Sequence, residues 1–168
     1  MSNLRAAIAA LAIAATGCTS GPSATAGLVE VAVGQHIEIR AAGSPVLATL
    51  WVQRVEPVSC SQPGSLPPSR GHYLAVTVVL RTSRDYAPDW GWWMTSDDFT
   101  TIDSSGDESG RGLFTSCLPP DLLLEEDFYR PDSGYEGAVL LDTEETSGTL
   151  VYRPRNLAGD IVGWRWRF

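Results

Sequence analysis

The sequence predicts an all-β protein, a β-sandwich of about seven or eight short strands with at most one short helix. Three observations carry that prediction. From Val29 onward, apolar residues recur with a period of two rather than 3.6. The alternating stretches are rich in Val, Ile, Thr, Tyr and Trp, the side chains that suit a pleated, half-buried surface. Clusters of Gly, Pro, Ser and Asp separate them, and no regular helical pattern alternates with them.

Taken in chain order, "GQHIEIR" (34–40) is a short first strand, and "VLATLWVQRV" (46–55) follows after the turn "AAGSP". The stretch "HYLAVTVVLRT" (72–82) puts Leu74, Val76, Val78 and Leu80 on one face and Tyr73, Ala75, Thr77, Val79 and Arg81 on the other. "DFTTID" (98–103) is another short strand, closed by the turn-forming "DSSGDESGRG". "PPDLLLEED" (119–127) is the one helical candidate, since Pro-Pro-Asp can open one or two turns. "YEGAVLLD" (135–142) and "GTLVYRP" (148–154) alternate again. The last segment, "DIVGWRWRF" (160–168), is the clearest, with Val162, Trp164, Trp166 and Phe168 set against Gly163, Arg165 and Arg167.

The 168 residues suffice for one domain with a proper core. Twenty carboxylates face 12 arginines, and there is no lysine. A chain of net charge −8 with no basic stripe lacks the footprint of phosphate-backbone binding, so no nucleic-acid partner is expected.

The amino-terminal residues have the anatomy of an export signal. "MSNLR" supplies a weakly positive start, and "AAIAALAIAA" (6–15) is an unbroken apolar run. Ten helical residues cover only about half of a bilayer core. Two processing sites compete. "Ala15-Thr16-Gly17-Cys18" resembles the lipobox of bacterial lipoproteins, although Ala15 stands where that family more often has leucine. The resemblance implies a diacylglyceryl group on Cys18 and cleavage before it. Residues 1–17 are then the signal peptide, and 18–27 a Ser/Gly/Thr-rich tether that leads to a domain at 28–168. Such a protein is anchored to the outer face of the cell membrane through its lipid. The alternative is "Ala24-Thr25-Ala26", an A-x-A site whose cleavage after Ala26 releases a soluble secreted protein. A third reading keeps Cys18 as a buried or bridged cysteine.

Export implies an oxidising compartment, where Cys60 and Cys117 become natural disulfide partners once Cys18 is lipidated or removed. Neither lies in a C-x-x-C pair, and neither shares metal-ligand spacing with His36 or His72.

The stretches "GQHIEIR", "GHYLAVTVVLRTS", "DFTTIDSSG", "GYEGAVLLDT" and "GTLVYRP", in this order, resemble an immunoglobulin-like domain family. That family, of unknown function, occurs in secreted proteins and lipoproteins of actinobacteria and related bacteria, among them relatives of the mycobacterial immunoprotective extracellular protein. The resemblance spans about residues 28–168 and implies an immunoglobulin-like sandwich in an exported, antigen-like protein. It implies no chemistry, so no catalytic residue and no cofactor is carried over.

"DWGWWM" (89–94) is the most unusual local composition, and Trp90, Trp92 and Trp93 form a candidate patch for stacking on sugar rings or gripping a protein. The competing reading has Trp93 fill the sandwich core while Trp90 and Trp92 cover an edge. "SDDFTTIDSSGDESG" offers Asp97, Asp98, Asp103, Asp107 and Glu108 to calcium, but Ser105 stands where a second ligand belongs, and a solvated hairpin is the simpler reading. No metal site is therefore assigned. Ser133 reads as a turn residue ahead of a strand, and G-x-S-x-G and S-x-x-K signatures are missing. The function expected is non-enzymatic binding of a protein or envelope polymer. An envelope hydrolase using paired carboxylates is the alternative, and it needs two acids facing across a cleft.

Overall fold

The longest alternating stretch, residues 72–82, becomes the middle strand of a five-stranded sheet. A computed structural model describes residues 27–40, 45–60, 62–87, 92, 94–113, 117–124, 129–154 and 163–168. The expected signal peptide (1–17), Cys18, most of the tether, and Trp90 and Trp93 lie outside the described residues. The strands are β1 (Leu28–Glu30), β2 (Ile37–Arg40), β3 (Val46–Val58), β4 (His72–Thr82), β5 (Phe99–Ile102), β6 (Glu108–Ser109), β7 (Arg111–Leu113), β8 (Gly134–Thr143), β9 (Thr149–Tyr152) and β10 (Gly163–Arg167). Single 3-10 turns lie at Ser96–Asp98 and Pro120–Leu122.

One sheet has the order β1-β10-β9-β5-β6 and the other β2-β3-β4-β8-β7. All pairings are antiparallel except β1 with β10. The inward faces build the main core, in which Leu50, Leu74, Val76, Val78, Leu80, Phe99, Leu141, Leu150, Tyr152 and Trp166 are fully buried. Burial pushes the pKa of the Tyr152 hydroxyl well above its ordinary value, and the nearby Asp98 charge pushes it further.

The all-β sandwich expected from alternation is the fold observed. Among the described residues ten strands replace the expected seven or eight, because β1, β6 and β7 are only two or three residues long, too short to show a period. Of the helical candidate at 119–127, the described residues 119–124 hold one turn, at Pro120–Leu122. Beyond it, Leu124 donates its N–H to the Ala138 carbonyl at 3.0 Å, and Leu123 bridges to Ala138. Pairing with the edge of β8, with Leu124 buried in the main core, wins over helix propensity.

Two glycines allow close approaches that close the sandwich. A Cβ on Gly112 would lie 2.0 Å from the Ser96 carbonyl oxygen, and one on Gly137 would lie 2.5 Å from the Leu124 backbone.

Candidate binding groove

The site depends on a β-bulge in β3. Val52 pairs with Val78 and Arg54 with Thr77, so Gln53 is an extra residue. Before the bulge, the even-numbered Leu50 and Val52 point into the main core. After it the parity reverses. Val55 packs against the core, while Arg54, Glu56 and Val58 turn to the outer face. Were the alternation to run on through Gln53 without a bulge, Arg54 and Glu56 would point between the sheets.

On the same outer face, β4 contributes Ala75 and Thr77, and β8 contributes Glu136 and Ala138. Cys60 and Cys117, 57 positions apart in sequence, form a disulfide with an S–S distance of 2.08 Å. It clasps the segment 117–124 onto this face. A small second apolar cluster forms beneath the clasp from Tyr73, Ala75, Cys117, Ala138 and Leu140, with Leu113, Leu118 and Leu123 packed against it. Leu118, Asp121 and Leu122 then wall a groove of about 480 Å³ that crosses β3, β4 and β8. The groove exists because its floor is small: Ala75, Thr77 and Ala138 lie low between larger walls. This volume lies within the ordinary range of ligand sites, about 300–1,000 Å³.

The groove has a definite charge. Arg54 pairs with Glu56 at 3.1 Å, while Asp121 and Glu136 make no ion pair among the described residues. At the rim, Leu122 is 52% exposed, an unusual position for a large apolar side chain on a wall of the site. The cross-strand row that holds Glu136 also carries Val79 and Trp51. Trp51 is occupied: His36 stacks on it with ring centroids 4.3 Å apart, and the Arg81 guanidinium lies 5.6 Å from its centroid.

The residues singled out from sequence fall elsewhere. Trp92 is 1% exposed, wedged between Tyr86 and Tyr129, with its ring centroids 6.1 and 6.4 Å from theirs. As part of a binding patch it is therefore corrected to core, because an indole this large gains most by filling the end of the sandwich. The acidic stretch divides among separate tasks. Asp98 is buried and accepts from the Thr95 N–H at 2.9 Å, whereas Asp103 gathers the Ser105 hydroxyl and the Ser105 and Asp107 N–H groups inside the β5–β6 hairpin. Those bonds, the Ser105 hydroxyl first, hold the Asp103 pKa below its ordinary value. Glu108 pairs with Arg153 at 2.9 Å. Among the described residues, no group of three or more His, Cys, Asp or Glu is placed to hold a metal. His72 lines a second, more polar hollow beside the disulfide with Ser65, Leu66 and Pro67. Ser133 lies in the turn before β8, its hydroxyl donating to the Pro131 carbonyl.

Asp142 is the carboxylate that holds the loop ahead of β4. It accepts from the Ser69 hydroxyl, the Ser69 N–H at 2.8 Å and the Arg70 N–H at 2.9 Å. Burial alone would raise its pKa, but these bonds and the Arg70 charge outweigh burial and lower it.

Sequence reasoning missed every groove residue, and the available signal was weak. Small residues at Ala75, Thr77 and Ala138 mark a low outer face only once β4 and β8 are aligned.

No protein-family model and no curated protein matches the sequence. Among solved structures, the chain is similar to MPT63, a secreted protein of Mycobacterium tuberculosis, at 12% identity and a TM-score of 0.60. That match covers 85% of this chain and 99% of the other. It is also similar to a Bacillus subtilis protein provisionally described as a lipoprotein, at 15% identity and a TM-score of 0.48, over 73% of this chain and 36% of that one. What this chain shares with MPT63 at such identity is the β-sandwich fold.

Proposed function

We propose that this chain is an exported, lipid-anchored domain of the cell envelope that binds a protein or envelope polymer and does not turn it over. The Cys60–Cys117 disulfide carries this reading, because it belongs to an oxidising compartment and also builds one wall of the groove. The secreted status of MPT63, which shares the fold, fits the same compartment. Cys18 takes the lipid, and the Ser/Gly-rich residues after it hold the domain up to about 30 Å from the membrane. A rigid sandwich face with a preformed groove suits recognition. The carboxylates in the most enclosed settings are committed to structure, Asp98 to the turn at Thr95 and Asp142 to the loop at Ser69 and Arg70, which argues against the hydrolase alternative.

Intact mass spectrometry of the membrane fraction tests the anchor. The wild-type chain is expected to start at Cys18 with a lipid-sized added mass, and Cys18→Ala to lose it. A mature start at Gly27 overturns the anchor in favour of secretion. Co-purification from the envelope tests the groove. Thr77→Leu, which fills the floor, is expected to lose the partner that the wild type retains, and retention by both overturns the groove as binding surface.

A further inference from the structure

We infer that the groove takes a short extended peptide segment of a partner protein, with one basic side chain between apolar ones. This rests on the groove being the binding surface. Charge complementarity gives the class of occupant. The groove holds Arg54, Glu56, Asp121 and Glu136, one positive group against three negative. Arg54 and Glu56 satisfy one another at 3.1 Å, which leaves Asp121 on one wall and Glu136 at the floor's edge without a counter-ion among the described residues. An occupant with a guanidinium or ammonium group supplies what both carboxylates lack.

The rest of the lining is apolar or small. Val58, Ala75, Ala138, Leu118 and Leu122 offer contact to hydrocarbon, and the exposure of Leu122 leaves apolar area for a ligand to cover. Strands lie about 4.8 Å apart, so the path from β3 to β8 is about 10 Å, the length of about three extended residues. β4, which runs along the middle of the floor, is paired with β3 on one side and β8 on the other, so its backbone groups are already bonded. Recognition on this floor is therefore by side chains rather than by addition of a strand.

The test titrates the full chain with the capped tripeptide Leu-Arg-Val and with analogues in which Gln or Glu replaces the Arg, following the amide resonances of Ala75, Thr77 and Ala138. The Arg peptide is expected to shift these amides saturably, more weakly as salt is raised. Asp121→Asn and Glu136→Gln, both exposed substitutions, are each expected to weaken binding roughly two- to fivefold, the size of one exposed charge contact. Equal binding of the Gln peptide overturns the charge-based inference and leaves the groove as a binding surface. Absence of shifts with all three peptides overturns the peptide as occupant, while the wider functional reading is judged separately by co-purification.

Discussion

Between the sheets, Leu50, Val76, Leu150 and Trp166 are held by burial alone, each layer covering the other. On the outer face, the cluster of Tyr73, Ala75, Ala138 and Leu140 has no second sheet above it. Its cover is an eight-residue segment, 117–124, with a disulfide at one end and a hydrogen bond to β8 at the other. The difference teaches where a groove can form. A sheet packed against a sheet leaves no opening, whereas a narrow strap leaves a furrow along its side.

Breaking the first cluster should have the largest effect. Trp166→Ala removes a fully buried indole and is expected to cost about 3–5 kcal/mol, measured by urea denaturation. Replacing both Cys60 and Cys117 by Ala should cost up to about 4 kcal/mol from loop closure over 57 residues. Here the two clusters should separate: hydrogen exchange accelerates in 117–124 while β4 and β9 stay protected. Equal loss of protection in both would show that the clasp supports the whole sandwich.

Gly137→Ala tests the other end of the strap. Its methyl meets the Leu124 backbone, so overpacking of about 1–3 kcal/mol and shifted amides at 123–124 are expected. Asp142 supplies the pH dependence. Its folded pKa lies below the unfolded value, so its stabilisation is present above about pH 3.9 and is lost as pH falls through the folded pKa. Asp142→Asn is expected to destabilise the protein at pH 7 and to flatten the acid limb of an unfolding series. Arg40→Ala breaks an exposed pair with Glu38 and should change stability by less than ~1 kcal/mol.

Much of the sandwich was legible because alternation is local. Residues 72–82 form a strand over the same bounds as their pattern, and the final Trp164 and Trp166 enter the core as their spacing requires. The disulfide followed from counting cysteines. The groove was not legible, because it depends on side chains from three strands and a loop. The tryptophan run shows the same limit: composition marks Trp92 as unusual, but only its neighbours Tyr86 and Tyr129 decide that it is buried.

Seven of the strands, the turns between them and the pairing of two cysteines could be read from the chain alone, because they are properties of neighbours along it or of simple counts. Tertiary structure alone decided the bulge at Gln53, which turns Arg54 and Glu56 outward, and the course of 117–124 beside β8. Both are matters of register, set by which hydrogen bonds and apolar surfaces find partners across the sheet.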